Sequence, residues 1–322
     1  MLYFRIKLAE KKYKIVDKDD KIVTDKTVLD YITNLVIPPA YDNVTIFYES
    51  SPKILFQGYD DKGRLQQIYS AKHKKKAMIK KFCNLLAFGK VLPKIQKDIE
   101  HHLKSTIMTK EKAIALILKI VIHCGFRIGN IKYQKLYKSF GISTILKSHI
   151  KLIKENDIQI KFLGKKSVIN ECIIVDSPLI KEINNIIKTK NNNDYVFTYI
   201  ENGIEKLISS IDINNYLKAY HINTTSKHFR TWDVNILFIE YMRKYVPDPI
   251  ILPLNKRKKM VNEALKIISD QVNNTANICK KEYLHVDILS LFLDSPQKFK
   301  KYFYDCYDAR TCFINFLEEF CK

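Results

Sequence analysis

The sequence has no metal-binding signature. Its seven cysteines, Cys83, Cys124, Cys172, Cys279, Cys306, Cys312 and Cys321, are scattered and odd in number, and none forms a CxxC or Cys/His pair at zinc-ligand spacing. That usage fits reduced thiols in an intracellular, reducing compartment, with no metal site. Long apolar runs are also missing. The most apolar stretch, Ala113 to Cys124, is broken by Lys119 and is too short to cross a bilayer. The N-terminal Met1-Leu2-Tyr3-Phe4-Arg5-Ile6-Lys7 has no apolar core of secretory length, so a soluble protein with no membrane partner is expected. Acidic residues are scarce: 34 Asp and Glu stand against 55 Lys and Arg, a net charge of +21. This excess goes beyond what solubility needs and points to a polyanionic partner. Nucleic acid comes first, because each neutralised phosphate releases condensed counterions and so supports binding. A membrane surface would need an amphipathic anchor or a lipidation signal, and neither is visible. The plain alternative for the charge is codon usage, since Lys, Asn and Ile abound in products of AT-rich genomes.

At 322 residues the chain can form two domains. Up to about Tyr69 it reads as short β-rich runs (Tyr3–Leu8, Tyr13–Val16, Val44–Tyr48, Ile54–Gly58, Leu65–Tyr69) separated by Asp, Lys, Pro and Gly clusters. From Ser70 helical periodicity takes over, beginning in the basic run Lys72-His73-Lys74-Lys75-Lys76, which is expected to be the linker. The assigned domains are residues 1–74, β-rich, and 75–322, mainly helical. Thr109 is a candidate N-cap for an apolar core helix ending at Gly125. Ile158–Phe162 alternates, Val168–Val175 is β-rich, and Gly164-Lys165-Lys166-Ser167 between them makes a hairpin. Further helices are expected around Met260–Val272 and over Val286–Phe320. The run Asn255-Lys256-Arg257-Lys258-Lys259 reads as a solvated loop, Trp232 as core, and His221, His228 and His285 as surface or packing residues.

A particular chemistry can be assembled from these parts. A tyrosine hydroxyl can open a phosphodiester and store the bond as a phosphotyrosine, but tyrosine is a poor nucleophile at its ordinary pKa of about 10. Without a metal, fixed cations must meet the charge that builds on phosphorus, and a group must protonate the departing sugar oxygen. Two arginines suit the first task and a lysine the second. The chain offers that set in order. Arg127 lies in Gly125-Phe126-Arg127-Ile128-Gly129-Asn130, Lys165 at the hairpin tip, Arg230 in Lys227-His228-Phe229-Arg230-Thr231-Trp232, and Asn274 nine positions before Tyr283. Each has a bland alternative when taken alone: Arg127 as a cap of the preceding helix, Lys165 as a turn lysine with Lys166 a rival beside it, and Tyr283 as packing.

With those motifs in hand, the sequence resembles the type IB DNA topoisomerases, in their compact poxvirus, large-DNA-virus and bacterial branch. The resemblance covers nearly the whole chain, from Ile37-Pro38-Pro39-Ala40-Tyr41 and Gly58-Tyr59-Asp60-Asp61-Lys62-Gly63-Arg64, through Gly125–Gly129, Phe162–Lys165 and Lys227–Thr231, to Asn274-Thr275 and Cys279–His285. It implies an α+β fold: a small, mainly β N-terminal domain and a larger, mainly helical catalytic domain of the tyrosine recombinase/topoisomerase IB type, closing as a C-shaped clamp on double-stranded DNA. It implies relaxation of supercoiled DNA without ATP, metal or other cofactor, by a monomer. Tyr283 would form a DNA 3′-phosphotyrosyl intermediate, Arg127 and Arg230 would stabilise the transition state, Lys165 would be the general acid, and Asn274 would hold a nonbridging oxygen. Lys62, Arg64, Gln66, Tyr69, Asn130, Tyr133 and Lys227 fall at the family's DNA-contacting positions. Residue usage and length suit a large DNA virus, whose virion and host cytoplasm would be the compartments. Two departures stand out: Asn274 replaces the histidine of poxvirus members, and Gln67 replaces an aromatic residue. The rival readings are a tyrosine recombinase, against which Lys227-x-x-Arg230 in place of His-x-x-Arg argues, and a non-catalytic basic DNA-binding protein, which would form no covalent adduct.

Overall fold

The computed structural model describes residues 1–322 except 10, 11, 50, 52, 155, 156 and 176, and except the side chains of 166 and 177. Lys166, the alternative to Lys165, therefore has a side chain outside the described set. The chain divides into two compact units, Met1–Lys81 and Phe82–Lys322.

In the first unit, five antiparallel strands form one open sheet in the order β2-β1-β3-β4-β5. They are β1 (Leu2–Ala9), β2 (Lys12–Val16), β3 (Asp42–Phe47), β4 (Ile54–Tyr59) and β5 (Leu65–Tyr69). Helix α1 (Lys26–Asn34) starts on Asp25, whose carboxylate accepts from the Thr27 and Val28 amides, and it places Val28 and Ile32 against Tyr3, Val44, Ile46 and Phe56. Arg5 explains the Ile37-Pro38-Pro39-Ala40-Tyr41 motif. Its guanidinium lies 4.3 Å from the Tyr13 ring centroid and donates to the Pro38 carbonyl at 2.9 Å and the Tyr41 carbonyl at 2.6 Å, fixing a segment whose prolines supply no donors.

Helix α2 (Ala71–Leu103) runs on from β5 without a break. The lysine run expected to be a linker is its first turn, and the Asn255–Lys259 run expected to be a loop is likewise the start of a helix. The physical reason is the same in both: lysine is a good helix former, and neither run contains Gly or Pro to stop it.

The second unit is built around α3 (Lys110–Cys124), capped by the Thr109 hydroxyl and ended by Gly125 in the left-handed conformation at φ 61°. Ten of its fifteen residues are buried, so it is a core helix on nearly every side. Next come α4 (Ile131–Tyr137) and a three-stranded antiparallel sheet of β6 (Ile150–Lys154), β7 (Asp157–Leu163) and β8 (Ile169–Ile174). Helix α5 (Ser177–Ile187), the hairpin β9 (Thr198–Glu201)/β10 (Ile204–Leu207), α6 (Ser210–Lys218), α7 (Lys227–Tyr245) and α8 (Leu254–Gln271) follow. One helical turn, α9 (Ala276–Ile278), then widens into a π-helical turn over Cys279–Tyr283. Helices α10 (Val286–Asp294), α11 (Pro296–Phe303) and α12 (Ala309–Phe320) close the chain. Trp232 is core, with its ring beside Phe88 and Phe313; a Cβ on Gly89 would come within 2.3 Å of it.

The cysteines depart from expectation. Six are paired, Cys83–Cys321, Cys124–Cys172 and Cys306–Cys312, each with Cα atoms 5.7 Å apart, and only Cys279 is free. Two of the pairs join residues 238 and 48 positions apart, so their adjacency comes from the fold and left no spacing pattern to read. Among the described residues no helix is long and apolar enough to cross a membrane.

Candidate active site

Arg230 lies one turn into α7 and is only 5 % exposed. Its Nη1 donates to the Val272 carbonyl at 2.7 Å and its Nη2 to the Gly125 carbonyl. Those carbonyls lie two residues before Asn274 and two before Arg127, so one guanidinium fastens the backbones that lead to two of the other candidates. Two of its five N–H groups are used in this way. Burial, then the neighbouring positive charge of Arg127, lowers the Arg230 pKa to about 10, while Tyr283 and Cys279 pull it back up. It stays charged at neutral pH. Its Cζ stands 6.0 Å from the Tyr283 ring centroid.

Arg127, half-buried, leaves the end of α3 on a segment gripped from both sides. Phe126 packs edge-on against Phe162 of β7, with centroids 4.9 Å apart. The Arg127 carbonyl accepts from the Ile142 amide at 2.9 Å, and Gly129 N–H donates to Ser143 Oγ at 3.1 Å. Gly141 crosses this segment so closely that a Cβ there would lie 2.5 Å from the Gly129 nitrogen.

Tyr283 ends the π-helical turn and is 7 % exposed. Its backbone is held by Asn235 of α7, five residues past Arg230. Asn235 Nδ2 donates to the Tyr283 carbonyl at 2.9 Å and to the Thr231 carbonyl at 2.6 Å, and Asn235 Oδ1 accepts from the His285 amide at 2.9 Å. His285 is fully buried: its ring lies 4.0 Å from that of Phe82 and 4.5 Å from that of Phe320, and its Nδ1 caps α10 at Asp287 N–H. It packs, as expected. Neither Asn235 nor the cage around His285 was found by sequence reasoning; a signal would have required knowing that α7 and the Tyr283 segment touch.

Asn274 sits just beyond α8. Its Oδ1 accepts from the Thr275 amide at 3.0 Å, while its Nδ2 is buried with no hydrogen-bond partner among the described residues. A buried amide donor left unsatisfied costs on the order of 1–3 kcal/mol unless an incoming acceptor takes it. Lys165 is exposed, in the turn between β7 and β8. Cys279, one turn before Tyr283, is buried, and burial pushes its thiol up to about 11 against the pull of Arg230 and Arg127, so it stays protonated beside the two cations.

The remaining candidates lie further out. Lys227 is exposed at the first turn of α7. Asn130 caps α4, accepting from the Lys132 and Tyr133 amides, and Tyr133 is 59 % exposed. In the first unit, Lys62 and Arg64 are exposed on a turn organised by Asp60, which accepts from both backbone amides and from Arg64 Nε. The Arg64 contact foremost holds the Asp60 carboxyl below its usual range, although burial opposes it. Strand alternation in β5 puts Gln66 on the side of the core residue Ile68, with its amide on Asp60 at 2.9 Å. Tyr69 points to the other face, beside Gln67, to which its hydroxyl donates at 2.8 Å. Among the described residues no group of three His, Cys, Asp or Glu side chains is arranged to hold a metal ion.

The structure thus brings Arg230 beside the Tyr283 ring and the charge of Arg127, and ties it to the segments that lead to Arg127 and Asn274, while Lys165 stands on an exposed turn. Comparison with known proteins identifies the family. Residues 70–305 match the family described as eukaryotic DNA topoisomerase I, catalytic core, and residues 12–60 match the bacterial DNA topoisomerase IB N-terminal domain. DNA topoisomerase 1B of Acanthamoeba polyphaga mimivirus is 30% identical over 299 residues, covering 89% of this chain and 86% of its own. DNA topoisomerase 1B of Vaccinia virus (strain Copenhagen) is 25% identical over 292 residues, covering 86% and 89%. The chain belongs to the DNA topoisomerase I family. Within that family it is a type IB enzyme, an isomerase whose substrate is DNA, and these two relatives are viral.

Proposed function

We propose that the enzyme relaxes supercoiled duplex DNA without ATP or metal by cutting and resealing one strand through Tyr283. The Tyr283 oxygen attacks phosphorus, losing its proton to solvent. A bond from phosphorus to the tyrosine oxygen forms as the bond to the 5′-oxygen breaks, and Lys165 delivers a proton to that oxygen. The nicked strand rotates, and the reverse reaction reseals it. Arg127 and Arg230 meet the charge that grows on the nonbridging oxygens, and the Asn274 amide donates to one of them. The observation that carries this reading is the buried Arg230 guanidinium, close to both the Tyr283 ring and Arg127. An amide at position 274 can donate but carries no charge, so in this reading the arginines provide the charge stabilisation. Action as a monomer, in a viral or other intracellular setting, belongs to the same proposal.

The test is relaxation of negatively supercoiled plasmid in EDTA without nucleotide. Wild type is expected to relax it, and Tyr283→Phe to bind duplex normally with no relaxation and no covalent adduct on a nicked suicide duplex. Strict dependence on Mg²⁺, or activity retained in the phenylalanine variant, would sink the proposal. Strand exchange between two duplexes would instead favour a recombinase.

A further inference from the structure

Asn273 occupies a junction that the chemistry above does not use. It follows α8 with φ at 48°, a left-handed conformation that asparagine tolerates better than most residues. Its side chain reaches in two directions. Nδ2 donates to the carbonyl of Cys124, the last residue of α3, at 3.0 Å, and Oδ1 accepts from the Glu171 amide of β8 at 2.9 Å. Arg127 leaves α3 three residues after Cys124. Glu171 follows Asn170, a buried residue whose Nδ2 donates to the Val168 carbonyl at 3.0 Å. Gly164 N–H donates to that same carbonyl at 2.8 Å, and a Cβ on Gly164 would meet Asn170 Nδ2 at 2.3 Å. Lys165 is the next residue. One amide thus spans the segment that carries Arg127 and the strand that shapes the Lys165 turn, while its own backbone leads into Asn274.

We propose that Asn273 is a positioning residue for strand cleavage, whose two hydrogen bonds set the Lys165 turn against the end of α3. This rests on the general-acid reading of Lys165. Lys165 is exposed and its turn needs an external reference to deliver a proton to a defined oxygen, and the β8 bond to Asn273 supplies one. Glu171 contributes only its amide here; its carboxylate is engaged by Lys161 at 2.7 Å.

The experiment is single-turnover cleavage of a suicide duplex in reductant, because the Cys124–Cys172 bond joins the same two segments. Asn273→Gly keeps the left-handed backbone and removes both bonds. Misplacement of a catalytic group by about 1 Å costs on the order of 100-fold, so Asn273→Gly is expected to cleave about 10- to 100-fold more slowly. Duplex affinity should be unchanged. A substrate with sulfur in place of the bridging 5′-oxygen needs no proton to leave, so on it the Asn273→Gly deficit should largely disappear, as should that of Lys165→Ala. Asn273→Asp keeps the acceptor for Glu171 N–H but turns a second acceptor toward the Cys124 carbonyl, so it too should show a deficit with the same rescue, which guards against a glycine variant that fails to fold. Asn273→Gly rates equal to wild type overturn the proposal, as does a deficit of the same size on both substrates while Lys165→Ala is rescued. An unrescued Lys165→Ala overturns the general-acid role itself, and the proposal with it.

Discussion

Asn235 shows how much one neutral side chain can carry in this molecule. Its three hydrogen bonds are buried, and two of them hold the backbone on either side of Leu284, so Asn235→Ala would orphan the Tyr283 carbonyl and the His285 amide. Each orphaned buried group costs about 1–3 kcal/mol, part of it felt as misplacement of the tyrosine. Asn235→Ala is therefore expected to slow single-turnover cleavage by at least about tenfold, since about 1.4 kcal/mol is a factor of ten, with duplex binding unchanged in a filter or gel assay. Arg230→Lys should cost more. A single ammonium cannot reach the Val272 and Gly125 carbonyls while also meeting a phosphate, and loss of one preorganised donor costs on the order of 100- to 1,000-fold. Asn274→Ala should slow cleavage far less than loss of either arginine, because its amide carries no charge. None of the Asn235 contacts was legible in the sequence. An asparagine inside a helix announces nothing, and the two partners that matter, Tyr283 and His285, lie about fifty residues downstream. Arg230 and Tyr283 could be singled out because the proposed chemistry asks for those residue types, and the fold does bring the two within 6.0 Å.

Elements were legible where local physics decides them. The short β-rich runs before Tyr69 became strands because β-branched and aromatic residues alternate between Gly, Pro and Asp turns. The end of α3 at Gly125 was legible because a left-handed C-cap favours glycine, and the fold adds a second reason: a Cβ there would lie 2.9 Å from Val272 Cα and 3.0 Å from the Gln271 carbonyl. Backbone cannot move aside as a side chain can. Gly125→Ala is accordingly expected to destabilise the enzyme by about 1–3 kcal/mol in urea titration and to slow cleavage as well, because the Gly125 carbonyl holds Arg230. Helix α7 carries a second device that the sequence hid. Three residues past Arg230, burial raises the Asp233 carboxyl to about 7, opposed by Arg310 and Arg230 and reinforced by Glu240. The folded pKa exceeds the unfolded value of about 3.9, so between those values the native state binds more protons and this carboxyl's contribution to stability falls as pH rises. Above about pH 7 the loss is complete. The stability of Asp233→Asn relative to wild type should therefore improve from pH 5 to pH 8, read from urea midpoints; no change in that difference would count against a raised pKa at Asp233.

At the scale of the whole molecule the question is what the +21 net charge is for. Codon usage and DNA binding both predict many lysines, but only binding predicts that they act on one polyanion. Part of the charge is already engaged internally: Lys112, only 4 % exposed, pairs with Glu182 at 2.6 Å, and Arg257 donates to the Leu252 and Leu293 carbonyls. Others, including the lysines at the start of α2, lie exposed along helix surfaces, a placement that either origin allows. The two origins separate in salt. Each phosphate neutralised on duplex DNA contributes about −0.9 to the slope of log K against log salt. If the exposed cations grip the backbone at six or more phosphates, duplex affinity should fall by about 1,000-fold or more between 50 and 200 mM salt. Lys62→Ala and Lys227→Ala should each reduce the slope by about one, without changing which sequence is preferred. A slope near zero would assign the charge to residue usage.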